Sequence, residues 1–168
     1  MISALPKTFQ GFTLVELIVA IAVLGILTAI AVPSFNETIL STKIRTYANT
    51  FVSNAYLARG EAIKNNAPVI LCVSTDGTNC ATGGWEQGWI ILSGTTVIQY
   101  QQAVATGYKI TESAGLSSLT FQPTGIGATQ ATLTICRATP DVGSQERVVT
   151  IGATGRPSVN KTAAGVCA

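Results

Sequence analysis

The sequence predicts an α+β protein in which a long N-terminal helix packs on an antiparallel β-sheet head. Three observations carry that reading. A long apolar run lies near the N-terminus, and a helical apolar period continues beyond it. After Pro68 that period gives way to short Val-, Ile- and Thr-rich segments separated by turn residues.

The apolar run is FTLVELIVAIAVLGILTAIAV, residues 12–32, interrupted only by Glu16 and two threonines. As a helix, about 21 residues rise about 31 Å, which matches a bilayer core. A conventional secretory signal is cleaved after its apolar stretch, near an A-x-A-like site. Here Pro33-Ser34-Phe35 follow instead, and the preceding MISALPKTFQG carries Lys7 as its single charge and ends in glycine. Glu16 is the second anomaly. A carboxylate inside a membrane helix costs a few kcal/mol on insertion scales, about 3, so it needs protonation or a cationic partner.

Residues 34–66 continue the helix in amphipathic form. Leu40, Ile44, Tyr47, Phe51, Ala55 and Ala62 recur at helical spacing and define an apolar face. Glu37, Lys43, Arg45, Asn49 and Asn54 are expected to face elsewhere. Pro33 removes a backbone donor at the junction and makes a soft point there, while Gly25 weakens the run before it. Asn65-Asn66 and Pro68 end the helix. The expected organisation is thus residues 1–11 ahead of the anchor, 12–33 as its membrane half, 34–66 as the amphipathic half, and 67–168 as the head.

In the head, PVILCVS, GWIILS, TVIQYQQ, GYKITES, SLTFQP, ATLTICR and RVVTIG read as strands between Gly, Asp-Gly, Asn and Pro breaks. Their short connections favour antiparallel pairing in one or two sheets. Trp85 and Trp89 flank a loop–strand junction, where they are expected to cover a small core; a sugar or partner surface is the competing reading.

Composition narrows the function. Net charge is +2 and only 11% of residues are charged, so bulk electrostatics favour neither nucleic acid nor anionic lipid. The chain has no histidine, which removes Ser-His and Cys-His nucleophile systems and His-ligated zinc. A Ser-Lys pair is the nucleophile chemistry that remains. The reading is of a protein that is not an enzyme and needs no cofactor or metal. The cysteines, Cys72, Cys80, Cys136 and Cys167, contain no C-x-x-C pair. The anchor would deliver the head beyond the inner membrane, where disulfides persist. Of the three connectivities, we favour Cys72–Cys80, closing the turn-rich VSTDGTN loop, with Cys136–Cys167 tying the C-terminus to a strand.

The junction Gly11-Phe12-Thr13-Leu14-Val15-Glu16-Leu17 closely resembles the type IV prepilin cleavage motif: glycine before the cut, an aromatic first mature residue, glutamate fifth. Pro33 also falls where pilin helices often carry their proline. ARGEAIKNNAPV, the Cys72–Cys80 loop, WEQGWIIL and a late Gly-Arg element followed by a terminal cysteine resemble the GspH/FimT group of minor pilins and pseudopilins. The resemblance implies a pilin-like fold and a leader, residues 1–11, cut after Gly11 by a prepilin peptidase that methylates the Phe12 amine. It implies that Glu16 pairs with the N-terminal amine of a neighbouring subunit during filament assembly. The implied partners are other major and minor pilins or pseudopilins, first in the inner membrane with a periplasmic head and then in the filament. The implied function is a minor pilin that primes a type IV pilus at or near its tip, with a type II secretion pseudopilin as the alternative. Some members are thought to bind DNA through a G-R-x-R element. This chain has Gly155-Arg156-Pro157-Ser158 and lacks the second arginine. Arg137, Arg147, Arg156 and Lys161 are the candidate DNA contacts; solvated charges around a turn at Arg156-Pro157 are the competing reading.

Overall fold

The structure is a computed structural model that describes residues 12–140, 142–163, 165 and 167, without the side chains of residues 32–34 and 36. Gly11 and the leader expected at residues 1–11 therefore lie outside the described residues. The chain divides into two compact units, residues 1–38 and 39–168. One helix, α1 (Leu14–Asn65), contributes to both and is helical through position 33.

Within the first unit, Leu14–Ala31 is long and apolar enough to cross a membrane, with a mean hydropathy of 2.7 and none of it buried. Leu14, Ile18, Ile21, Leu24 and Leu27 are all more than half exposed. A helix apolar on every side has no soluble core to face, so its favoured surroundings are lipid or other such helices.

The second unit begins with the amphipathic part of α1. Ile44, Ala48, Phe51, Ala55, Ala58 and Ala62 are buried, and Leu40 and Tyr47 pack at the margin. The four alanines leave room for sheet residues to approach the helix backbone. Asn54 corrects the sequence reading: it is only 8% exposed. Two sheets supply core around α1, so the buried arc is wider than a single-sheet face and takes in a position next to Ala55. The helix ends in a left-handed Asn66 (φ 49°), with Ala67 N–H donating to Ala62 O at 3.3 Å and Asn66 N–H to Ile63 O at 3.4 Å. These are the two bonds of a Schellman cap, and Pro68 prevents any continuation.

Eight strands follow: β1 (Val69–Val73), β2 (Gly88–Ser93), β3 (Thr96–Gln102), β4 (Tyr108–Glu112), β5 (Ser118–Phe121), β6 (Ala131–Arg137), β7 (Gln145–Ile151) and β8 (Pro157–Ala163). All pair antiparallel, in two four-stranded sheets ordered β3-β2-β1-β5 and β4-β6-β7-β8. The first seven match segments read from the sequence. The eighth, PSVNKTA, is not among the segments that the sequence marks as strands. Six of its seven residues are exposed, so it shows no buried alternation, and only its pairing along β7 makes it a strand.

Both sheets share one core with α1. Val69, Leu71, Val73, Trp89, Ile91, Leu119 and Phe121 come from the first sheet. Tyr108, Ile110, Leu133, Ile135, Val149 and Ile151 come from the second. Phe51 sits at its centre, edge-on to Trp85 (centroids 5.3 Å apart) and to Trp89 (5.4 Å). The tryptophans are 1% and 0% exposed, as the core reading expected. Trp85 also donates its indole N–H to Leu116 O at 2.7 Å, which ties the short 3-10 turn Trp85–Gln87 to the loop before β5.

Two disulfides brace the head, Cys72–Cys80 and Cys136–Cys167, spanning 8 and 31 residues. Loop-closure entropy grows with the logarithm of loop length, so breaking the longer should cost about 1 kcal/mol more than breaking the shorter. Denaturant unfolding of Cys136→Ser and Cys72→Ser checks this: the first should have the lower midpoint, and the reverse order would refute the entropic account.

Glu112 makes a further, non-covalent brace. Only 6% exposed, its carboxylate accepts from Ala114 N–H (2.8 Å), Leu116 N–H (2.9 Å), Thr132 N–H (3.2 Å) and the Ser113 hydroxyl (3.2 Å). Burial alone would raise its pKa, but these donors together hold it below the usual carboxylate range. A carboxylate depressed in the folded state stabilises fully above its unfolded pKa, about 4.3. That contribution is lost as pH falls through the lower folded value. Glu112→Gln should therefore lower stability at pH 7 by about 1–3 kcal/mol, and the deficit should shrink in urea titrations carried below pH 4. A deficit independent of pH would show that shape, not charge, matters there.

Candidate functional site

At the start of α1, Thr13 and Glu16 form a reciprocal cap. Thr13 donates its N–H to Glu16 Oε2 at 2.8 Å and its hydroxyl to the same oxygen at 2.7 Å, while Glu16 N–H donates to Thr13 Oγ1 at 3.3 Å. This is a capping box, legible in sequence as Thr-x-x-Glu but not singled out there. It gives the anomalous carboxylate a local role: satisfying donors that the first helical turn leaves unpaired. Phe12, immediately before it, is 86% exposed.

The four candidate DNA contacts do not form one surface. Arg137 is the clear correction. It is 1% exposed and among the largest fully buried side chains, because it ends β6 beneath Gly143, where an added Cβ would lie 3.5 Å from the guanidinium carbon. It is unavailable to a phosphate. Arg147 is half-buried and donates to Glu146 O at 3.1 Å. It lies directly across the ladder from Lys161, which is exposed. Arg156 is also exposed, but it precedes β8, at the opposite end of that strand's pairing from Lys161.

The turn carrying Arg156 is held by α1 through residues the sequence reading did not weigh. Arg59 Nε donates to Thr154 O at 3.0 Å, and Tyr56 donates its hydroxyl to Pro157 O at 3.3 Å. Gly155 has φ 66°, and a Cβ there would sit 3.3 Å from Ala128 Cβ, Arg59 Cδ and Phe121 Cδ1. The Gly-Arg element thus fits a crowded left-handed turn against α1 that only glycine enters without strain. Periodicity places Arg59 beside the buried face but gives no hint of a partner 95 residues away.

A helix that opens on an aromatic–threonine–glutamate start, is apolar on all sides and continues into a β-rich head defines the class of pilin-like subunits. Residues 6–32 match the prokaryotic N-terminal methylation motif. Residues 47–155 match the family described as type II transport protein GspH, and the chain belongs to that family. A fimbrial protein of Pseudomonas aeruginosa is 32% identical over 93 residues, 55% of this chain; the match spans 60% of that relative's length. Two crystal forms of the type IV minor pilin FimU of Pseudomonas aeruginosa share the fold at 19% identity. Their TM-scores are 0.55 and 0.57, covering 69% and 71% of this chain and 91% and 90% of theirs.

With Arg137 buried and the remaining cations split between two ends of β8, a head fragment beginning after residue 33 should bind duplex DNA weakly or undetectably near 0.15 M salt. Arg156→Ala and Lys161→Ala should change little. Tight binding that falls steeply with salt and is lost in Arg156→Ala would instead make DNA the ligand.

Proposed function

We propose that the chain is a minor pilin that helps prime a type IV pilus and sits at or near its tip. The observation that supports this most is the Thr13–Glu16 start of an all-round apolar helix joined to a GspH-family head. In this reading a prepilin peptidase cuts after Gly11 and methylates the new Phe12 amine, which stays cationic. Before assembly the subunit rests in the inner membrane with a periplasmic head, and Glu16 is served by its own capping box. During assembly the amine of a neighbouring subunit approaches Glu16, and an ion pair in a low-dielectric bundle replaces a carboxylate with local dipoles alone. That difference favours leaving the bilayer for the filament, where other pilins or pseudopilins surround the helix. No catalytic role is assigned to any residue.

The description of the family as type II transport protein favours one second reading, a pseudopilin of a secretion system. Its anchor chemistry is the same. Co-isolation with sheared surface pili supports the first role, and a secretion defect with normal pili supports the second.

Processing should leave Phe12 as the first residue, methylated; intact-mass measurement of protein extracted from membranes with an active prepilin peptidase tests this, and retention of residues 1–11 would refute it. Glu16→Gln keeps the capping box but cannot form an ion pair. It should enter filaments several-fold less well than wild type, with head folding unchanged by circular dichroism. Wild-type incorporation of Glu16→Gln would sink the charge-pairing account, while loss in Glu16→Ala alone would assign the effect to capping.

A further inference from the structure

Two four-stranded sheets have four edges: β3, β5, β4 and β8. An open edge offers unpaired N–H and C=O groups to any passing strand. Two of these edges carry cover, and a third is covered at its carbonyls alone. On β5, Thr120 exchanges bonds with Thr129 (3.0 and 3.1 Å). On β4, Tyr108 N–H reaches Ala105 O, Ile110 N–H meets the Glu86 carboxylate, and Glu112 O accepts from Gly115 N–H. On β3, the side-chain amides of Gln99 and Gln101 occupy Tyr100 O and Gln102 O, both at 3.3 Å.

The β8 edge differs. Arg156 O accepts from Gly152 N–H on the β7 side at 3.3 Å, whereas Pro157 O points outward to the Tyr56 hydroxyl. Alternation then turns the backbone groups of Val159, Lys161 and Ala163 outward, and those of Ser158, Asn160 and Thr162 toward β7. Pro157, with no N–H to offer, falls in the outward set, where edge prolines belong. Among the described residues nothing bonds to the outward groups of Val159, Lys161 or Ala163.

The side chains along this edge specify a partner. Val159, 39% exposed, lies opposite Val149, and Lys161 lies opposite Arg147 on the same face. Like charges directly across a ladder repel. Glu146, the nearest acid in sequence, is engaged on the other face by the Thr162 hydroxyl (3.1 Å) and Gly165 N–H (3.2 Å). Among the described residues neither Arg147 nor Lys161 forms an ion pair. A second β8 would add another lysine to the same cluster, which argues against self-pairing.

We propose that the outer edge of β8 is a docking site for an extended acidic segment of a partner protein. The segment adds antiparallel as a fifth strand, with a carboxylate facing Lys161 and Arg147 and an apolar side chain two residues away on Val159. Main-chain bonds to Val159, Lys161 and Ala163 supply affinity, and the charge sets register and partner choice. This surface goes beyond the filament role and is testable on the isolated chain.

The test is NMR-detected amide exchange on the full-length chain in detergent micelles, with the blocked peptide Thr-Thr-Glu-Thr-Val-Thr-Thr as probe. Without peptide, the amides of Val159 and Lys161 should exchange on the order of a hundredfold faster than those of Ser158 and Asn160. Millimolar peptide should protect them, and the same peptide with Lys in place of Glu should bind at least about tenfold more weakly. Lys161→Glu should reverse that preference, and Val159→Pro, which removes an outward N–H only, should abolish protection. Slow exchange at Val159 and Lys161 without peptide, no protection by the acidic peptide, or equal affinity for both peptides would overturn the proposal.

Discussion

The head depends on one ring, Phe51. It stands on α1 between the two tryptophans of the Trp85–Trp89 segment, and its edge-on packing fixes that segment against the helix. Trp85 in turn holds the loop before β5 through its indole N–H, and Glu112 gathers the same loop and β6. The second sheet meets the helix through Tyr108, edge-on to Tyr47 with its hydroxyl donating to Leu40 O. Small residues around Phe51 make this possible: with Ala48, Ala55 and Ala58 as its neighbours, sheet side chains can reach the helix from several directions without mutual exclusion.

The anchor follows a different logic. Its apolar side chains are exposed among the described residues, and its start is fixed by backbone bonding and the capping box. Glu16 serves two demands there. As a helix cap it satisfies backbone donors at the N-terminus, and in the assembly proposed above its carboxylate would meet the amine of a neighbouring subunit. The first role holds in a single subunit; the second needs another chain. Because the capping bonds are local, exchanging them for an intersubunit pair disturbs nothing in the head.

The C-terminal third is where charge and packing part company. Arg137 is drawn into the interior by its place at the end of β6, while Arg147 and Lys161 are set side by side by the β7–β8 register. Arg156 belongs to a turn whose shape is dictated by Gly155 against Arg59 and Phe121. Four basic residues that look equivalent along the chain thus occupy one buried, one half-buried and two exposed positions at different ends of a strand.

Much of this was legible in the residues themselves. The apolar run, the helical period from Leu40 to Ala62, the Asn-Asn-Pro stop and seven strands all rest on local patterning, because each buries a face whose spacing is written in the sequence. The Cys72–Cys80 pairing was legible for the same reason, since its loop is short and rich in turn residues. What local pattern could not carry was decided by distant neighbours. β8 has no buried face and exists through its pairing with β7. Asn54 is enclosed because two sheets contribute to the core around α1. Arg137 is buried beneath Gly143 once the chain turns back after β6, and Arg59 is bonded by a segment 95 residues along the chain. The sequence by itself determined which elements form, through periodicity and caps. Only the tertiary structure decided which charges are available and which sheet edge is left uncovered among the described residues, because both depend on what packs from elsewhere.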